Sequence, residues 1–287
     1  MNKQYSLEFF PPRAAEAWPG FEQAVAELRV LKPAYVSVTF GAGGSVQSGT
    51  VDAVQRIREQ QGLDTAPHLS CVNTTPESVD ALLARYREMG VRRLVVLRGD
   101  LPSGAGLPAG PFRYASDLVA HIRKTFGDAF HIEVAAYPEM HPQARDPAAD
   151  LRNFCTKVAA GADAAITQYF YNADAYFDFC ERAAAAGCQV PITPGIMPIT
   201  NRRQLTRFSN VCGAEIPRWI ALRLEQYGDD LASIRAFGLD VVSRLCQTLL
   251  DGGAPGLHVY TLNKVEPTVD LFARLGIDAG EPQAQAR

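Results

Sequence analysis

Eight times along this chain a short run of apolar, β-favouring residues gives way to a longer amphipathic stretch, and that alternation limits the folds open to it. The strand candidates are Tyr5–Phe10, Tyr35–Thr39, Pro67–Cys71, Arg93–Leu97, His131–Ala136, Ala164–Gln168, Pro191–Ile196 and Gly256–Thr261. Helical patterns lie between them. Val79, Leu82, Leu83, Tyr86 and Met89 form one apolar stripe, with Pro76 at its start and Gly90 just past its end. Parallel strands joined by helices build either an open doubly wound sheet or a closed barrel. Eight units favour closure, because a barrel leaves no unpaired strand edge. The expected fold is therefore α/β, a (β/α)8 TIM barrel with extra helices between strands 7 and 8, where residues 201–251 have room for two or three. The 287 residues suit one such barrel. No Pro/Gly/Ser-rich linker divides them, so a single catalytic domain is expected over 1–279, followed by a polar, flexible tail at 280–287.

Composition excludes several function classes. A formal net charge of −3 gives no electrostatic case for nucleic acid or an anionic membrane surface. No apolar run approaches the roughly 18 residues that would span a bilayer. The opening MNKQYSLEFFPPR lacks the apolar centre of a signal peptide, and a cytoplasmic location is expected. The six cysteines, Cys71, Cys155, Cys180, Cys188, Cys212 and Cys246, show no C-x-x-C spacing and sit mostly in apolar segments. Buried, reduced thiols are the expectation.

In an α/β barrel, chemistry is built at the C-terminal ends of the strands. Those ends carry Glu8 in SLEFFPPR, Thr39 in SVTFGAGG, His68 in PHLSC, Arg98-Gly99-Asp100 in LVVLRGDLP, Tyr137 in AAYPEMHP and Gln168 in AITQYF. The last two strands end in PGIMP and HVYTLNK. Glu8 is the candidate for acid chemistry, though alone it also fits a rim carboxylate paired with an arginine. Asp100 could equally stabilise a turn, and His68 could be a satisfied core histidine. No metal site is expected, because His131, Glu133, Glu139 and His141 form no H-E-x-x-H. Gly41-Ala-Gly43-Gly44 fails the dinucleotide fingerprint, and Gly104-Ala-Gly106 is interrupted by prolines, so both read as loops that let a ligand approach the backbone. On the fifth helix, Asp150, Asn153 and Lys157 share one face, with His141 just ahead. Such a face suits phosphates and sugar hydroxyls, or is simply solvated.

Taken together, SLEFFPPR, SVTFGAGG, APHLSC, LRGDLP, YASDLV, AAYPEMHP, ITQYF, PGIMPI and HVYTLN resemble the bacterial methylenetetrahydrofolate reductases, in order, from about Tyr5 to Leu275. The resemblance implies a (β/α)8 barrel that binds FAD and reduces 5,10-methylenetetrahydrofolate to 5-methyltetrahydrofolate with NADH or NADPH. It implies that Glu8 is the acid protonating the folate N10 to open the imidazolidine ring. Asp100 matches an aspartate near the flavin pyrimidine and the pterin. Gln168 matches a glutamine at the flavin face, and Phe208 an aromatic that packs on whichever substrate is present. Thr39, Ala42, His68, Arg98, Gly99, Tyr114, Ala115, Tyr137, His141, Ala144, Asp150, Asn153 and Lys157 match flavin-contacting positions. The family forms oligomers, so a homo-oligomer is a possible partner state.

The chemistry of the residues fits this role. Hydride cannot reach the methylene carbon until ring opening makes an iminium cation, which requires an acid. Leu7, Phe9 and Phe10 around Glu8 are expected to raise its pKa by desolvation. A carboxylate at Asp100 would disfavour an anionic reduced flavin and strengthen it as a donor. One face shared by nicotinamide and folate implies ping-pong kinetics. Two positions depart from the pattern. Thr156 stands beside Lys157 where an arginine is expected. Lys264 replaces the arginine expected near the folate tail, keeping the charge without the bidentate fork. A Schiff-base aldolase is disfavoured, because no expected strand ends in lysine. A non-catalytic folate- or flavin-binding subunit is opposed by Glu8, Asp100 and Gln168 occurring together.

Overall fold

The computed structural model describes residues 3–40, 47–99 and 110–277. Nine short parallel strands follow the order β7-β6-β5-β4-β3-β2-β1-β9-β8. They are β1 (Gln4–Phe9), β2 (Tyr35–Val38), β3 (Thr65–Ser70), β4 (Arg93–Leu97), β5 (His131–Ala136), β6 (Ala164–Thr167), β7 (Ile192–Thr193), β8 (Gly195–Ile196) and β9 (Gly256–Tyr260).

The expected seventh strand is split at Pro194, which has no N–H to offer a ladder. Its carbonyl still accepts from the His258 N–H at 3.0 Å. β7 pairs with β6 and β8 with β9, so this one stretch reaches both neighbours and closes the barrel. Gly195 has to be glycine: a Cβ there would lie 2.1 Å from the Thr167 carbonyl oxygen and 2.7 Å from the Tyr260 ring.

Helices α1 (Trp18–Leu28), α2 (Gln47–Arg56), α3 (Pro76–Glu88), α4 (Ala115–Phe126), α5 (Pro147–Ala159) and α6 (Ala173–Ala185) link the strands. α3 begins at Pro76 as its sequence predicts. The Thr75 hydroxyl accepts from the Ser78 N–H at 3.2 Å, and the Ser78 hydroxyl accepts from the Thr75 N–H at 2.9 Å. The region 201–251 holds three helices, α7 (Arg202–Cys212), α8 (Arg218–Tyr227) and α9 (Leu231–Asp251), and α10 (Glu266–Arg274) follows β9. Among the described residues no helix is long and apolar enough to cross a membrane.

Alternate residues of each strand divide the core in two. Leu7, Phe9, Val36, Val38, Leu257 and Val259 join the helix-packed core with Val25, Leu28 and Leu83. A second, small apolar cluster of Tyr35, Ala66, Val95 and Ile166 stands apart from it. Register sets Ser6 beside Tyr35 and His258, and Glu8 beside Ser37 and Tyr260. This inner layer is polar where barrels are usually filled by branched apolar side chains.

The cysteines correct one expectation. Cys155 on α5 and Cys188 ahead of β7 are paired as a disulfide, with Cα atoms 5.9 Å apart. Thirty-three residues separate them in sequence, and only the packing of consecutive barrel units brings them together. Cys71, Cys180, Cys212 and Cys246 are free.

Candidate active site

Glu8 lies at the C-terminal end of β1, where the mouth of the barrel opens, with 18% of its side chain exposed. Its Oε2 faces His68 Nε2 at 3.3 Å, His258 Nε2 at 3.5 Å and the Ser37 hydroxyl at 3.4 Å. The His68 contact does not meet hydrogen-bond geometry. These partners overturn the expectation of a raised pKa. Burial pushes the carboxyl up, but hydrogen bonding from His258 and the nearby charge of His68 outweigh it and hold the pKa at about 2. Apolar neighbours can be counted along β1, whereas the two imidazoles come from β3 and from the adjacent β9.

His258, fully buried on β9, is fixed by a 2.7 Å bond between its Nδ1 and the Ser6 hydroxyl. Tyr260, two residues on, donates to the Thr167 carbonyl at 2.6 Å. Burial, then the proximity of Glu8 and Tyr137, raise its pKa well above the ordinary value, so it stays a neutral phenol. Asn263 clamps the end of β1: its carboxamide accepts from the Phe10 N–H at 3.1 Å and donates to the Phe10 carbonyl at 2.8 Å.

A basic region occupies the mouth at β4 and β5. Lys157 on α5 donates to the Ala135 carbonyl at 2.5 Å. Burial lowers its pKa to about 8, with Asp150 opposing the shift and Arg98 adding to it. Asp150 accepts from the His141 N–H at 2.9 Å, and the His141 and Tyr137 rings meet edge to face, centroids 4.6 Å apart. Gly99 has φ of 89°, and a Cβ there would lie 2.1 Å from the Ser70 hydroxyl. The backbone after Arg98 thus turns where only glycine fits. Two cations beside a glycine turn match the demands of an anionic group such as a diphosphate.

The other expected residues fall around the same mouth. Thr39 follows β2, and its carbonyl accepts from the Thr50 hydroxyl at 2.9 Å. Tyr114 and Ala115 open α4, where the Asp117 carboxylate accepts from the Tyr114 N–H at 2.9 Å. The Ala144 N–H donates to the His141 carbonyl at 2.8 Å. Gln168 follows β6, and its Oε1 accepts from the Tyr169 N–H at 3.0 Å. Phe208 on α7 is half-buried under the Arg207 guanidinium, 5.2 Å from the ring centroid. Lys264 reaches the Thr200 hydroxyl and the Gln204 carboxamide oxygen, each at 3.4 Å. Asn153 is exposed on α5, and the Thr156 hydroxyl turns back to the Arg152 carbonyl. Ala42 and Asp100 lie outside the described residues. Sequence reasoning missed His258, Tyr260, Ser6 and Ser37. Their signal was present as polar residues at every second position of β1, β2 and β9.

Comparison with known proteins identifies the family. The family model described as methylenetetrahydrofolate reductase matches residues 1–276. The chain is 38% identical to 5,10-methylenetetrahydrofolate reductase of Escherichia coli (strain K12) over 275 residues, covering 96% of this chain and 91% of that one. It is 35% identical to a probable methylenetetrahydrofolate reductase (NADH) of Oryza sativa subsp. japonica, covering 95% of this chain and 48% of the plant protein. A solved Clostridium thermocellum protein that binds two copies of 5-methyl-5,6,7,8-tetrahydrofolic acid shares the fold, with TM-score 0.66 and 17% identity over 96% of each chain. On the family match and the identity to its bacterial members, the chain belongs to the methylenetetrahydrofolate reductases, oxidoreductases that act on a folate.

Proposed function

We propose that this reductase works with FAD and with NADH or NADPH, converting 5,10-methylenetetrahydrofolate to 5-methyltetrahydrofolate, with Glu8 as the acid. The observation that carries the proposal is Glu8 itself, a carboxyl set between two imidazoles at the C-terminal end of β1. Arg98, Lys157 and Asp150 would hold the cofactor, with Thr39, His68, Gly99, Tyr114, Ala115, Tyr137, His141, Ala144 and Asn153 around it, and Ala42 and Asp100 completing the set. Bound FAD supplies the hydride exchange between nicotinamide and folate. The NADH in the plant relative's name, and the methylated folate held by the Clostridium protein, support the choice of partners.

Glu8 delivers its proton to the folate N10 as the C–N10 bond breaks. A carboxyl with a pKa of about 2 is ionised at neutral pH, so it is not a stored acid. It works as the outer member of a proton-sharing pair with His258. A folate closing the mouth strips water from it and favours the neutral carboxyl. Gln168 and Phe208 orient the pterin, and the Lys264 ammonium faces the carboxylates of the tail. Nicotinamide and folate take turns at one face, which gives ping-pong kinetics.

Colour tests the proposal. The purified protein should be yellow, bleach anaerobically with NADH or NADPH, and regain its colour with methylenetetrahydrofolate. A colourless protein that FAD cannot reconstitute would contradict it.

A further inference from the structure

The mechanism above leaves a buried set of titratable groups unused. Starting from Glu8, the contacts continue down the barrel axis. His258 Nε2 lies 3.5 Å from Glu8, and His258 Nδ1 is 2.7 Å from the Ser6 hydroxyl. Ser6 is the register partner of Tyr35 on the neighbouring strand, and the two side chains share the inner face of the barrel. Tyr35 donates to Glu133 Oε2 at 2.7 Å. The other oxygen of Glu133 faces Arg93 at 3.5 Å and His131 Nε2 at 3.8 Å. His131 opens β5, at the end of the barrel opposite Glu8, and 37% of its side chain meets solvent.

Resting on the proposed reaction, we infer that Glu8, His258, Ser6, Tyr35, Glu133 and His131 form a proton wire that refills Glu8 from solvent at the N-terminal opening. The reaction requires such a supply. Each turnover forms one N–H bond at the folate N10, and the hydride comes from the nicotinamide, so one proton must enter from water. With cofactor and folate seated in the C-terminal mouth, Glu8 is closed off on that side. At the far end, the His131 side chain still meets solvent.

The steps balance atom by atom. Glu8 takes the proton on His258 Nε2, and His258 Nδ1 takes that of the Ser6 hydroxyl. The Tyr35 hydroxyl, which donates to Glu133 at rest, turns to give its proton to Ser6 and takes in return the proton that solvent delivers to the Glu133 carboxylate at the His131 end. Every member then ends with the protons it began with, once the imidazole resets its tautomer. Burial keeps the Tyr35 pKa well above its ordinary value, so Tyr35 passes the proton in concert rather than waiting as a phenolate. A purely structural filling would not need these groups, since burying a carboxylate costs free energy that branched apolar side chains avoid.

The test compares wild type with Tyr35→Phe, Ser6→Ala and Ser6→Thr in anaerobic stopped flow, in water and in deuterium oxide. Reduced holoenzyme is mixed with methylenetetrahydrofolate in weak buffer containing a pH indicator. Tyr35→Phe and Ser6→Ala should slow flavin reoxidation and proton uptake together at least ten-fold and change the solvent isotope effect. Ser6→Thr, which keeps the hydroxyl, should restore both, and flavin reduction by NAD(P)H should match wild type in all three. Wild-type reoxidation and isotope effect in Tyr35→Phe and Ser6→Ala would overturn the wire. So would equal slowing of both half-reactions, which marks a structural role. Wild-type enzyme that folate fails to reoxidise would instead refute the reaction itself, and the wire with it.

Discussion

Leu7 and Glu8 are consecutive on β1 yet serve opposite faces of the barrel. Leu7 joins Phe9, Val36, Val38, Leu257 and Val259 in the apolar shell beneath the helices. Glu8 joins Ser6, Ser37, His68 and His258 in an interior of hydroxyls, imidazoles and carboxylates. The outer face supplies the burial that drives folding. Burying ionisable groups inside costs stability unless each is paired, and here they are paired with one another. One face therefore specifies the fold and the other the chemistry, and substitutions on the two should separate cleanly.

The largest separation is expected at Leu7→Ala. Leu7 is fully buried, so truncation should cost about 2–5 kcal/mol in a denaturant titration while leaving the pH profile of folate turnover unchanged. Next comes acid stability. The Glu8 pKa of about 2 lies below its ordinary 4.5, so the folded state gains stability above pH 4.5 and loses it as pH falls through about 2. Glu8→Gln should flatten that part of the stability curve, and an unchanged slope would remove the two imidazoles as its cause. Gly195→Ala pushes a methyl against the Thr167 carbonyl and the Tyr260 ring. It should cost about 1–3 kcal/mol and also perturb turnover, because Gly195 sits where shell and interior meet at the closure. The smallest effect is at Lys157. Its ammonium should hold an anion below its pKa of about 8, so FAD affinity, read by flavin fluorescence, should fall by up to about ten-fold per pH unit above it. Lys157→Met should bind FAD weakly and without that pH dependence.

The shell was legible in the sequence because apolar periodicity is a local property. The eight-fold alternation, the helix positions and the room for two or three helices in 201–251 follow from it. Glu8 and His68 were legible because a parallel barrel puts every strand end at one mouth. His258 was not, since alternation along β9 marks only which face it takes, and it gains its meaning from Glu8 and Ser6 on the strand beside it. The break at Pro194 was visible as a proline inside an expected strand, but its role in closure depends on pairing to β6 and β9 together. The pKa of Glu8 was misjudged for the same reason: desolvation can be read along the chain, while charges from neighbouring strands require the fold.

Glu8, as proposed, supplies the proton that opens the folate ring. Anaerobic stopped flow of Glu8→Gln holoenzyme separates the two half-reactions. Flavin reduction by NAD(P)H should proceed at close to the wild-type rate, and reoxidation by methylenetetrahydrofolate should fall by about 10²–10⁴-fold. Near-normal reoxidation by folate in Glu8→Gln would contradict the account.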